Sequence, residues 1–343
     1  MSERVDGLRL LKAPFWNSDE RRLRALWRLL GFGMTAALLG WGALATGLPA
    51  RLRDLGASAT GAVLVLAIDL LSLWLTARLF ERRPLTDSGL GLDASFLREL
   101  GLGLGLGAVL MSSVFAVEKA LGWVSVSTLF RQADPVVPFP LAFLTPLVVF
   151  VSVGIYEEAV FRGLLMRTLA EGLSSRRVPP RTALVLAALL SSAAFALAHA
   201  RNPNATVVST LNIAVVGMVL CLPYLITARL ALSIGLHISW NLFQGNVYGF
   251  PVSGTTRLPT TVIAVVQRGP DVWTGGAFGP EGGLLGLLAV AVGAVAIVLV
   301  LRPREGFARI QEALAAPPSR PGSRLAEAAG GPIVPGEGPT LEP

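Results

Sequence analysis

Apolar residues in this chain come in runs of about twenty, parted by short polar, basic or proline-rich stretches. A helix of that length crosses the hydrocarbon core of a bilayer. Eight such runs stand near 29–48, 61–80, 100–121, 141–172, 182–200, 205–227, 229–249 and 283–301. The pattern predicts an all-α fold, a polytopic membrane helix bundle of about eight transmembrane helices. Residues 1–28 read as a cytoplasmic N-terminal segment and 29–138 as transmembrane helices 1–3. Residues 139–250 hold helices 4–7, 251–282 a loop, and 283–304 helix 8. The tail, 305–343, is too rich in Pro and Gly to pack and is expected to be disordered. The fourth run is roughly 48 Å long, so one end must protrude. The third opens with Gly101, Gly103, Gly105 and Gly107. Their spacing is not that of a phosphate loop, but pairs one turn apart suit close helix packing.

Composition narrows the class. Hydrophobic residues make up 53% of the 343 and charged residues 15%, which places the chain among membrane proteins and excludes disorder for most of it. The net charge of +7 comes mainly from arginines at the ends of runs, in 21–28, 78–83, 176–181, 229 and 302–308. With eight crossings these all fall on the side of both termini, and the positive-inside rule makes that side cytoplasmic. The charge therefore reads as topology, and no nucleic-acid partner is expected. Arg51 and Arg53 fall on the opposite side. The single cysteine, Cys221, excludes a disulfide framework and reads as a small buried hydrophobe.

Ionisable groups break the apolar pattern in three places. Tyr156-Glu157-Glu158-Ala159-Val160-Phe161-Arg162-Gly163 interrupts the fourth run, and the only two histidines, His199 and His237, lie in the fifth and seventh. Charged groups at such depth usually face a protein interior and mark function. Measured from the basic 173–181 connector, Glu157 and His199 lie roughly 22 and 27 Å along their helices, while His237 and Asn241 lie roughly 12–18 Å past Arg229. One cavity can hold all four. Glu158 and Arg162 are four apart in the favourable order for an ion pair, and Glu157 is rotated about 100° from Glu158, toward the histidines. Phe195 shares a face with His199, as His237 does with Asn241. Asp69, alone in the second run, is either functional or part of a helix–helix hydrogen bond.

A carboxylate shielded from bulk water can act as general base on a water molecule, an imidazole can hold that water or ligate a metal, and His237 with Asn241 can donate to an oxyanion. Together these describe peptide-bond hydrolysis. Glu157-Glu158-x-x-x-Arg162, Phe195-x-x-x-His199 and His237-x-x-x-Asn241 resemble the three motifs of the CPBP (Abi) family, whose best-known members are the type 2 CAAX prenyl proteases. The resemblance covers about 140–250 and implies an intramembrane endopeptidase, multi-pass in the plasma membrane of a bacterial-type cell, acting on a peptide or protein. It implies that Glu157 activates water, His199 positions it, and His237 with Asn241 form the oxyanion site. Glu158, Arg162 and Phe195 support them. Family members are labelled metalloproteases, with a metal-free glutamate mechanism as the alternative; Glu157, His199 and His237 would hold a Zn²⁺ if one is used.

Two readings of other classes compete. A proton-coupled transporter would show matching broken helices in two halves, and none is evident. A non-catalytic scaffold or immunity protein would tolerate loss of Glu157. Depth counting places the site in the half nearer the outer face, opposite the arginine-rich connector.

Overall fold

The computed structural model describes residues 13–18, 20–48, 57–132, 134–256, 258–301 and 309–317. Among them are seven helices long and apolar enough to cross a membrane, arranged as a polytopic bundle. They are built from α1 (Ala25–Ala45), α2 (Ala57–Thr76), α3 (Ala94–Ala120), α4 (Phe139–Glu158) continued by α5 (Arg167–Leu173), α6 (Pro180–His199), α7 (Val207–Thr227) and, last in the chain, α9 (Leu284–Leu301). The remaining expected span is α8 (Ala231–Leu242), which a π-helical turn extends over Phe243–Val247. It is shorter than a bilayer core, and all ten residues from Ala231 to Trp240 are buried. An apolar run facing lipid and one facing protein look alike in sequence. Here the enclosed helix is α8, which carries Ser233, His237 and Ser239, while the wholly apolar α9 is largely exposed.

Small residues set how close the enclosing helices come. A Cβ at Gly103 or Gly107 on α3 would collide with the backbone of α8 at Leu232 or Leu236, and one at Gly235 would strike Leu100. Gly101 and Gly105 face open space, so only one of the two glycine pairs serves packing. Gly154 on α4 lies against Ile238. On a further side, Ser233 Oγ donates to Leu220 O of α7 at 2.8 Å. These contacts fix the height and rotation of α8, and with it His237.

The fourth run is one helical rod, Phe139–Leu173, of 35 residues. Its middle, Ala159–Met166, is π-helical and begins directly after Glu157-Glu158. Such wide turns are often found at functional sites.

At the end of the bundle remote from the 173–181 connector, β3 (Val124–Arg131) pairs antiparallel with β4 (Thr261–Gln267). The stretch 251–282, expected as a loop, thus carries a strand, because Thr261-Val-Ile-Ala-Val-Val266 is β-branched enough to extend once it finds a partner. At the opposite end, β1 (Trp16–Asn17) and β2 (Arg22–Leu23) form a short hairpin that leads into α1. The tail also departs from expectation over 309–317. Leu314 and Ala315 are buried beside Ala170 and Leu184, and Gln311 N donates to Leu225 O at 2.8 Å. Leu314, Ala315 and the partly buried Ile310, with two hydrogen bonds from Gln311 to Leu225 O and Ile226 O, dock a segment that composition alone marks as unstructured. Arg51 and Arg53, and the rest of the tail, lie outside the described residues.

Beside the hairpin the helix ends share a buried ionic knot. Glu171 takes Arg22 and Arg28, each at 2.9 Å, and also Arg83. Glu81 takes Arg22 at 3.3 Å and Arg28, and Thr168 donates to its other oxygen at 3.1 Å. All three arginines and both glutamates are buried.

Candidate active site

The approach of α4 to α8 at Gly154 and Ile238 brings the ionisable groups of the two helices into contact one turn further along. Glu158 Oε1 accepts from Arg162 Nη1 at 3.0 Å and from His237 Nδ1 at 2.9 Å. Glu158 and Arg162 are both 0% exposed. The second guanidinium nitrogen, Nη2, donates to Gly217 O of α7 at 3.1 Å, and the guanidinium lies over the Phe195 ring of α6, 4.5 Å from its centroid. Arg162 therefore ties three helices together, and the expected Glu158–Arg162 pair is present.

Glu157 takes the other side of α4, as the 100° rotation requires. Its Oε2 lies 3.7 Å from His237 Nε2, and Tyr156 Oη donates to its Oε1 over a long 3.4 Å. The π-helical segment starts after this pair, so it leaves the angle between Glu157 and Glu158 intact. The imidazole of His237 is held between two carboxylates, one sealed behind it and one facing a cavity.

His199 is the last residue of α6. Its Nδ1 is 2.8 Å from Phe195 O. A carbonyl only accepts, so Nδ1 carries the proton and Nε2 keeps a lone pair in the neutral ring. The Phe195 ring stands edge-on to His237, with centroids 6.2 Å apart, and 4.6 Å from the His199 ring. One aromatic side chain thus spaces both imidazoles.

Glu157, His199, His237 and Asn241 all line one cavity of about 460 Å³, together with Phe195. Glu158 and Arg162 lie behind its wall. Inward, the cavity runs between apolar side chains such as Leu110, Val219, Trp240 and Val290. At the bundle end remote from the 173–181 connector, here called its mouth, it is lined by Asn202, Ser253 and Glu281. Tyr156 and Trp240 also line it, and sequence reasoning gave neither a role, although they adjoin Glu157 and Asn241. Glu281 carried no signal beyond being an acid just ahead of an apolar run.

Glu157, His199 and His237 are the residues that would hold a metal. Among the described residues no set of three or more His, Cys, Asp or Glu side chains is gathered for that purpose. The Nδ1 atoms of both histidines are held by protein acceptors, so Nε2 is the ring nitrogen each would offer to a metal. The chemistry derived below rests on the chain's own side chains.

Neither the curated proteins nor the solved structures contain a match to this chain. A family model does match, over residues 139–243, which reach from the start of α4 to just beyond Asn241 and include every motif residue described above. That family is the Rce1-like type II CAAX prenyl endopeptidases, and it is to them that residues 139–243, about a third of the chain, are similar.

Proposed function

We propose that this protein hydrolyses a peptide bond in a cavity within the membrane, using a water molecule activated by Glu157. The observation that carries the reading is a division of labour among adjacent residues. Glu157, His199, His237 and Asn241 face one cavity, while Glu158 and Arg162 are sealed behind it and orient His237.

Each group has a definite task. His199, its Nδ1 proton given to Phe195 O, offers the Nε2 lone pair to a water proton and so aims a water lone pair outward. Glu157 takes the other proton as water attacks the substrate carbonyl carbon. The oxygen becomes an oxyanion, which accepts from the Asn241 amide and from Nε2–H of the His237 imidazolium. Glu158 holds the Nδ1 side of that ring, so the ring cannot turn away. As the carbon–nitrogen bond breaks, Glu157 returns its proton to the leaving amine. A low-dielectric cavity strengthens every one of these interactions.

The cavity mouth lies at the bundle end opposite the arginine knot, and positive-inside topology then turns it toward the outer face of the membrane. We place the protein in the plasma membrane of a bacterial-type cell, with a peptide or protein substrate. Cleavage of reporter peptides by the purified full chain in nanodiscs, with and without chelator, tests the reading against Glu157→Gln. Equal cleavage by wild type and Glu157→Gln would remove Glu157 from the mechanism.

A further inference from the structure

The mouth of the cavity holds a second carboxylate besides Glu157. Glu281 lies outside the residues matched by the family model and is only 4% exposed. Its Oε1 alone receives both of its hydrogen bonds, from Ser253 Oγ at 2.6 Å and from Ser253 N at 2.5 Å. Ser253 O in turn accepts from Asn202 Nδ2 at 3.0 Å, and Asn202 N donates to His199 O at 3.0 Å. Glu281 therefore stands on the His199 side of the mouth, tied to the site through two residues. Its second oxygen takes no hydrogen bond among the described residues.

Charge makes this position unusual. No Lys or Arg lines the cavity among the described residues, and none pairs with Glu281. In the arginine knot, by contrast, Glu81 and Glu171 each meet several guanidinium groups. A buried carboxylate without a cation is costly, and holding Ser253 does not need the charge, because a neutral amide oxygen accepts the same two bonds. The cavity that Glu281 lines has room for the missing countercharge.

We infer that Glu281 is a specificity-determining residue whose free oxygen takes a Lys or Arg side chain of the substrate, close to the bond that is cut. The inference rests on the proteolytic reading above and narrows its substrate class to peptides with a basic side chain near the scissile bond.

The test uses the full chain in nanodiscs and N-acetylated peptides in which a single Lys, or the uncharged isostere norleucine, is walked through successive positions. In wild type, kcat/KM for Lys over norleucine should reach about tenfold at one position near the cut, the factor expected of a charge-assisted bond. In Glu281→Gln the ratio should fall close to one, whereas Ser253→Ala, which removes one bond to the carboxylate and not its charge, should keep it. Zero-length carbodiimide coupling of the Lys peptide to wild-type protein should map to Glu281, a readout that needs no variant to fold. A wild-type ratio near one at every position, a preference that survives Glu281→Gln, or coupling that maps elsewhere overturns the inference and leaves proteolysis standing. Cleavage of no peptide by wild type defeats the proteolytic reading itself, and the inference with it.

Discussion

Two clusters of buried charge sit at different heights in this bundle, and in one of them a carboxylate, Glu157, lines a cavity of about 460 Å³. In the knot of Arg22, Arg28 and Arg83 with Glu81 and Glu171, every carboxylate meets two or more guanidinium groups. Compensation of that kind leaves no carboxylate there without a cation. In the site cluster, Glu158 Oε1 meets both Arg162 and His237, whereas Glu157, among the described residues, has a distant imidazole nitrogen and a long bond from Tyr156. Burial of ionisable groups therefore does not by itself separate chemistry from architecture. What separates them is a carboxylate left partly unsatisfied beside open space.

The sharpest way to break that comparison is to neutralise one carboxylate in each cluster. Glu157→Gln should lose at least about a hundredfold in turnover, the usual scale of general acid–base catalysis, while melting like wild type. Glu171→Gln should do the reverse. It leaves Arg22, Arg28 and Arg83 to share Glu81, and breaking such buried pairs costs about 3–5 kcal/mol, read as a lower melting temperature with turnover per folded molecule retained. If Glu171→Gln instead silences a fully folded protein, the knot belongs to the mechanism.

Arg162→Ala should fall between the two, losing stability on the same scale of about 3–5 kcal/mol and activity as well, because Glu158 then lacks its cation and His237 its fixed orientation. The double change Glu158→Gln/Arg162→Met should recover part of the stability and none of the activity. No recovery in thermal melts would mean that the pair is not what makes Arg162 costly to remove.

Tyr156→Phe should have a smaller effect. It deletes one long hydrogen bond to Glu157, for which a net value of about 0.5–1.5 kcal/mol corresponds to a turnover loss of no more than about tenfold. A hundredfold loss would promote Tyr156 from positioning Glu157 to a part in proton transfer.

The gentlest perturbation places the two clusters relative to the membrane. Val136, 86% exposed, and Ser175 flank the rod Phe139–Leu173, and the native Cys221 is buried and can stay. In intact cells, a membrane-impermeant thiol reagent should label Val136→Cys and spare Ser175→Cys. Labelling of the second alone would turn the cavity mouth toward the cytoplasm without moving any residue of the site.

Most of the bundle was legible because lipid imposes a simple rule, namely that a spanning segment must be apolar and satisfy its own backbone. Runs of about twenty apolar residues, and the arginines that end them, follow from that rule directly. The site was legible for the converse reason. Glu157, Glu158, Arg162, His199 and His237 violate the apolar pattern, and helical spacing already separates Glu157 from its neighbour. Arg22, Arg28 and Glu171 lie at run ends, where charge is ordinary, so nothing in the pattern marked them as buried.

The sequence by itself determined that the chain is a membrane bundle and which polar groups must leave the lipid, because periodicity and the cost of buried charge are properties of single segments. Only the tertiary structure decided that α8 is wrapped by its neighbours, that β4 pairs with β3, and that Glu281 reaches the cavity mouth. Those outcomes depend on contacts between segments far apart in the chain. Glycines such as Gly103 and Gly154 set how closely those segments approach, and a Gly looks the same in sequence whether it faces a partner helix or open space.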